Sequence, residues 1–295
     1  MQTLRTVLEM IKIEHTLFAL PFALIGMLLA AGGLPAWRTV FWIVVAMVGA
    51  RSAAMAFNRL ADREIDAANP RTRGRALPAG LVTPRWVAGF TVASCALLVL
   101  AAWRLNPLAL ALSPVALLVI LGYSYTKRFT WASHLVLGLA LAGAPLGAWI
   151  AVRGSVAPTP FVLAAAVLCW VAGFDVLYAL QDREFDRQRG LRSIPARFGV
   201  GGSLVISALL HLGTLLLLAL LPGLYAAQGG TAGPPGAALG TAYWIGWTGC
   251  LLLVATQHAI VRPGALSRLD AAFFQANGAL ALWLFAATAV DVLWL

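Results

Sequence analysis

Apolar residues in this chain come in long unbroken runs, not in the stripes of an amphipathic helix or the alternation of a half-buried strand. A bilayer core of about 30 Å takes roughly 20 apolar residues per helix, and helices satisfy their own backbone polar groups in lipid. Nine runs of that kind predict membrane-spanning helices near residues 15–33, 39–57, 86–103, 107–123, 135–152, 161–178, 204–221, 239–261 and 273–294. Clusters of Gly, Pro and charge separate them, among them Gly32-Gly33-Leu34-Pro35, Asn106-Pro107, Ala157-Pro158-Thr159-Pro160 and the stretch 229–236. The expected fold is an all-α integral membrane protein forming one domain over 1–295. Two repeat-like halves of four helices are expected, about 15–152 and 161–261, with a ninth helix at 273–294. Residues 2–13, where Leu4, Val7, Leu8 and Ile11 alternate with Arg5, Glu9 and Lys12, read as a short interfacial helix.

Composition agrees: 61% of the 295 residues are hydrophobic and 11% charged, which excludes a soluble surface, a disordered chain and a disulfide scaffold. Cys95, Cys169 and Cys250 lie inside apolar runs and read as packing residues. Charge then orients the chain, because Lys and Arg collect in cytoplasmic loops. Of 21 basic residues, 17 fall on one set of loops and 3 on the other, while Arg51 lies within a span. The N-terminus is therefore expected in the cytoplasm of a multi-pass inner-membrane protein, its basic face turned to anionic lipid or an anionic substrate. No soluble basic domain exists to carry nucleic acid. Glu9, Lys12 and Glu14 before the first span argue against a cleavable leader.

Only 11 acids are present, and seven fall in two short segments. Asp62-Arg63-Glu64-Ile65-Asp66 is nearly repeated, 120 residues later, by Asp182-Arg183-Glu184-Phe185-Asp186. On a continuous helix, Asn58, Asp62 and Asp66 would share one face; Asp175, Tyr178, Asp182 and Asp186 would share another. Two facing stripes of oxygen ligands without His or Cys favour Mg²⁺, which completes its shell with water and phosphate oxygens. A phosphate or diphosphate is then the missing partner. The alternative is a solvated network in which the acids pair with neighbouring arginines. Glu64 and Glu184 point off the stripes and read as surface partners. Arg51, two turns before Asn58, could close the cavity floor or answer a structural carboxylate; Lys127 and Arg128 could neutralise a leaving diphosphate or simply snorkel. His15, His211, His258 and Asp291 have no spaced partner and read as packing or interfacial residues, and His134 is ambiguous.

These motifs resemble those of the UbiA superfamily of membrane-embedded prenyltransferases, over essentially the whole chain. Its Asn-Asp-x-x-Asp-x-x-x-Asp matches residues 58–66, followed by Arg75-Ala76-Leu77-Pro78-Ala79-Gly80; its Tyr-x-x-x-Asp-x-x-x-Asp matches Tyr178, Asp182 and Asp186, with residues 193–199 after it. Its Tyr-x-x-x-Lys-Arg matches Tyr123, Lys127 and Arg128. Arg59 stands where the first motif has its second Asp, and Ile11 to Pro21 departs from the Lys-Pro-x-Gly start of well-known 4-hydroxybenzoate enzymes. The resemblance implies Mg²⁺ at Asn58, Asp62, Asp66, Asp182 and Asp186, and catalytic roles for Lys127, Arg128, Tyr178 and Asp182. Arg51, Asn58, Arg75, Tyr123, Asp175 and Arg197 would bind substrates. The implied reaction moves a polyprenyl group from an allylic polyprenyl diphosphate to an aromatic acid, 4-hydroxybenzoate in ubiquinone synthesis or 1,4-dihydroxy-6-naphthoate in menaquinone synthesis. Membrane lipids would surround the prenyl tail. Outside this class the repeated halves fit a transporter, whereas the string of a CDP-alcohol phosphotransferase is absent.

Overall fold

The computed structural model describes residues 16–229, 238–261 and 276–294. Among them are nine long helices: α1 (Thr16–Ala31), α2 (Trp37–Ala61), α4 (Pro84–Leu105), α5 (Pro107–Thr126), α6 (Ser133–Arg153), α7 (Pro158–Tyr178), α9 (Ile194–Ala227), α10 (Thr241–Ile260) and α11 (Asn277–Trp294). Two short helices, α3 (Arg63–Ala68) and α8 (Arg183–Gln188), follow α2 and α7. The interfacial helix expected over 2–13 lies outside the described residues.

Seven of the long helices are long and apolar enough to cross a membrane. The described part of α1 has 16 residues, while α10 mixes Thr, Gly, Gln257 and His258 into its apolar sequence.

Local chemistry sets the helix ends. Pro84, Pro107 and Pro158 open helices at positions where a missing N–H costs nothing, and the Thr83 and Asn106 side chains accept from Trp86 N and Ala109 N at the starts of α4 and α5. Gly154 ends α6 in the left-handed region at φ 63°, which a residue with a Cβ enters at a cost.

In lipid, apolar burial alone supplies little drive for helix association, so close approach and interhelical hydrogen bonds carry more of it. A Cβ on Gly26 of α1 would stand 2.4 Å from the Pro145 carbonyl oxygen of α6, and one on Gly138 of α6 would stand 2.5 Å from that of Leu168 on α7. Tyr225 donates to Leu29 O at 3.0 Å, Tyr243 to Leu218 O at 2.8 Å, and Trp170 Nε1 to Asn277 Oδ1 at 3.1 Å. These contacts surround a core of Phe22, Trp149, Leu163, Trp170 and Leu218. Leu118, Leu209, Leu220 and Leu252 point outward, as a lipid-facing surface requires.

The 120-residue offset appears in the backbone as well as in the residues. Shifted by it, α3 falls on α8 residue for residue, and α1 falls within α6. By this register α6 opens the second set of helices instead of closing the first, so the boundary between the sets lies ahead of residue 133. One expectation fails at both acidic motifs, where continuous helical stripes were anticipated. Helix α2 stops at Ala61, with Asp62 at φ −99°, ψ 6°. On the other side α7 passes into a 3-10 turn, Ala179–Asp182, with Asp182 at φ −99°, ψ 2°. Each first aspartate therefore occupies the bridge region between two helical segments.

Candidate active site

The first acidic motif is enclosed by cations. Asp62 is 3% exposed. Its Oδ2 accepts from Lys127 Nζ at 2.6 Å and from Asn58 Nδ2 at 3.1 Å; Arg128 lies 3.8 Å from Oδ1 and donates to the Ala61 carbonyl. Asp66, also buried, takes Arg75 NH1 on both oxygens at 2.8 and 2.9 Å and has Arg59 NH1 at 3.9 Å. The residue that departs from the family motif is thus a buried counter-ion of Asp66. Asn58 Nδ2 also reaches Ser124 Oγ at 3.4 Å. Tyr123 lies within electrostatic reach of Arg51, Arg59 and Asp62, and Arg51 stands seven residues before Asn58 on α2.

The second motif takes its cation from the first half of the chain. Arg71 Nε donates to Asp182 Oδ1 at 2.9 Å, its NH2 donates to Oδ2, and Asn69 Nδ2 donates to Oδ1 at 2.9 Å. Arg71 NH1 also reaches Tyr178 Oη at 3.1 Å. Burial works against the Arg71 charge, but the hydrogen bonds and charge of Asp182 outweigh it and hold the guanidinium pKa above its ordinary value. Asp186 takes a hydrogen bond from Ser193, whose oxygen in turn caps α9 by accepting from Ala196 N at 3.2 Å. The second half reciprocates: Arg192 N donates to Lys127 O and Arg192 NH1 to Phe129 O, both at 2.7 Å. The turn that aims Lys127 at Asp62 is therefore tied down by the loop that follows Asp186.

Two of the sequence-based assignments take unexpected surroundings. Asp175 turns to His134, with Oδ2 2.6 Å from Nδ1. Arg197 stacks over Trp131 and Phe198 at 5.5 and 5.4 Å. His211 and His258 pair with each other at 2.8 Å, 47 residues apart, so the absence of a near-neighbour partner in sequence was uninformative. Asp291 of α11 accepts from the backbone N–H groups of Gly240, Ala242 and Tyr243 and so caps α10. Glu64 pairs with Arg63 at 3.3 Å and Glu184 accepts from Gln188 at 3.2 Å, both at the surface as expected.

Sequence reasoning missed Asn69, Arg71 and His134 as members of the site. The bond from Asn69 to Asp182 spans 113 residues, and that from His134 to Asp175 spans 41, so no local spacing announces either.

Among the described residues no three His, Cys, Asp or Glu side chains converge to hold a metal by themselves. Mg²⁺ does not ask for that: one or two carboxylates, with water and phosphate oxygens, are its usual shell. Asp62 Oδ1 is buried without a hydrogen-bond partner, an oxygen with coordinating capacity left. Asn58 and Asp62 therefore fit such an ion, and Asp182 fits once Arg71 lets go.

The model of the UbiA prenyltransferase family matches residues 19–279. A 4-hydroxybenzoate octaprenyltransferase of Vibrio cholerae is 34% identical over 237 residues, 80% of this chain and 79% of the relative. A UbiA homolog from Aeropyrum pernix K1, solved in its apo form, superposes with a TM-score of 0.83 at 33% identity, covering 95% of this chain and 98% of that one. A UbiA homolog from Archaeoglobus fulgidus bound to DMAPP and Mg²⁺ shares the fold at a TM-score of 0.69 and 18% identity, covering 97% and 99%. With the family model spanning most of the chain and relatives of 33–34% identity covered over more than two thirds of their length, the chain belongs to the UbiA prenyltransferase family.

Proposed function

We propose that this enzyme transfers a polyprenyl group from an allylic polyprenyl diphosphate to 4-hydroxybenzoate, with Mg²⁺, at the cytoplasmic face of the inner membrane. The observation that carries the reading is the convergence of Lys127, Arg128, Arg75 and Arg71 on Asp62, Asp66 and Asp182. Four cations held by carboxylates at one end of the bundle form an anion site in waiting, and a diphosphate is the anion that matches their number. The acceptor follows the Vibrio relative, and the ion follows the Archaeoglobus neighbour and the unspent Asp62 oxygen. We further propose nine spans in a single domain, with the N-terminus on the same side as the acidic motifs.

Asn58 and Asp62 would hold one ion, and Asp182 with Asp186 the other; Asp66, clasped by two guanidinia, would contribute least. Bound there, Mg²⁺ would offset the negative charge that develops as the allylic C–O bond ionises. Lys127 and Arg128 would take the departing diphosphate oxygens, since both already point at the site from the end of α5. Tyr178 and Tyr123 flank the two motifs, where they would orient the substrates. Arg51 would close the floor, and Arg197, braced on Trp131, would stand at the rim of the α9 start. The prenyl tail would run between helices into lipid.

The test is prenyl transfer in membranes containing the protein, supplied with an allylic polyprenyl diphosphate, Mg²⁺ and 4-hydroxybenzoate or 1,4-dihydroxy-6-naphthoate, with product mass as readout. A prenylated hydroxybenzoate lost on EDTA treatment and in Asp182→Ala supports the proposal. A naphthoate product alone moves the acceptor assignment, and no product from folded protein refutes the reading.

A further inference from the structure

His134 and Asp175 make a short contact that neither acidic motif uses. His134 heads α6 and is 4% exposed; its Nδ1 lies 2.6 Å from Asp175 Oδ2. Its other nitrogen, Nε2, accepts from the Ile194 backbone N–H at 3.4 Å. An N–H cannot donate to a protonated ring nitrogen, so that contact assigns the His134 proton to Nδ1, where it donates to Asp175. Of the two side chains only the carboxylate shows surface, 23% against 5% for the imidazole. The arrangement is a carboxylate presented from the front and fixed from behind.

Its position is informative too. Asp175 lies on α7 seven residues before Asp182, with three helical steps to Tyr178 and four in the 3-10 turn, so roughly 12 Å deeper along the axis. That depth leaves room for a diphosphate at Asp182 and an aromatic ring beneath it. Thirteen of the 21 residues of α7 are buried, more than in any other span of its length, so a partly open carboxylate on it faces the interior of the bundle. A partly desolvated carboxylate has room for a further donor beside the His134 Nδ1–H.

We propose that Asp175 is the acceptor-side catalytic residue, receiving the phenolic O–H of the aromatic substrate, and that His134 is the positioning residue that holds it there. The proposal rests on the prenyl-transfer reading above. As the allylic C–O bond breaks, its electron pair leaves with the diphosphate. The ring carbon beside the phenol oxygen uses a π pair to form the new C–C bond, and the phenolic proton passes to Asp175. The resulting ring ketone regains aromaticity when the hydrogen on the alkylated carbon moves to the oxygen. The net proton released stays on Asp175 until the site opens to water.

The experiment compares wild type with Asp175→Asn, His134→Leu and His134→Gln in detergent or nanodiscs, using an allylic polyprenyl diphosphate and Mg²⁺. The readouts are kcat/KM for 4-hydroxybenzoate, the Kd of a non-ionising thiolodiphosphate analogue, and the inhibition constants of benzoate and 4-hydroxybenzoate analogues lacking a transferable position. Asp175→Asn should lower kcat/KM for the acceptor about 100-fold, as expected for a lost proton acceptor, with the analogue Kd held within about twofold. Wild type should prefer the hydroxylated inhibitor by roughly tenfold over the one without it, and the preference should collapse toward one in Asp175→Asn. His134→Leu should lose acceptor kcat/KM, and His134→Gln, whose amide can still donate to Asp175, should recover part of it. An Asp175→Asn enzyme with unchanged acceptor kinetics, an intact hydroxyl preference, or an equal loss of analogue binding overturns the proposal. If wild type itself transfers nothing to a phenol, the reaction reading fails first, and the two failures are told apart.

Discussion

Replacing Arg71 with Gln tests whether the second motif is a metal site held shut by an internal cation. Arg71 donates to both oxygens of Asp182, and each side chain is partly open, 30% and 19% exposed, so solvent screens the pair in part. Hydrogen bonds to a charged partner contribute about 1.5–3 kcal/mol each when well shielded; discounting for exposure, the pair is worth about 1.5–2 kcal/mol. A divalent ion must displace the guanidinium to reach those oxygens, so removing it should tighten metal binding by that amount. Near 1.4 kcal/mol per decade, the dissociation constant should fall about 10- to 30-fold. Mn²⁺ titration followed by electron paramagnetic resonance, on protein without diphosphate, reads this out. Arg71→Gln should also melt lower than wild type in EDTA and regain the difference when Mg²⁺ is added. An unchanged or weaker Mn²⁺ affinity would refute the argument and leave Arg71–Asp182 as a purely structural tie.

Asp62→Ala should remove at least about 100-fold of turnover while leaving helix content by circular dichroism unchanged, because Lys127 and Arg128 lose their aiming partner at a solvent-accessible end of the bundle. Asp291→Ala removes an acceptor shared by three backbone N–H groups at the start of α10. It should cost about 1–2 kcal/mol of stability, visible in thermal denaturation in detergent, with the activity of the surviving folded fraction close to wild type. Gly138→Val should separate α6 from α7 and lower both expression and melting temperature, since its Cβ would fall 2.5 Å from the Leu168 carbonyl oxygen; a fully stable variant would contradict that packing.

What could be read from the sequence had a one-dimensional signature. Runs of apolar residues located all nine long helices of the described chain, and the matched Asp62 and Asp182 segments marked the two acidic motifs that the folded chain ties to common loops. The breaks at those aspartates were not legible, because a spacing of four residues looks the same whether or not the helix continues through it. Nor were the partners. Arg71 resembles every other loop arginine in composition, and only the folded chain brings it across to Asp182. Arg59 was visible as a departure, but its job as a counter-ion to Asp66 depends on a loop return that places Arg75 on the other side of the same carboxylate.

The repeat explains why two similar peptides do different work. Asp62 and Asp182 share a backbone conformation to within a few degrees, so the duplicated geometry persists, but their partners have diverged. Asp62 draws Lys127 from the end of α5 in its own half, while Asp182 draws Asn69 and Arg71 from the opposite half. The loop after Asp186 then fastens the turn carrying Lys127. Asp182 is thereby held by the segment that follows Asp66, and the turn carrying Lys127 by the segment that follows Asp186. An incoming diphosphate with its cations would have to loosen both ties together, since Arg71 must leave Asp182 and Lys127 must share Asp62. If the two motifs bind a diphosphate with its cations as proposed, binding at one would be coupled to binding at the other through the side chains that the crossed loops share.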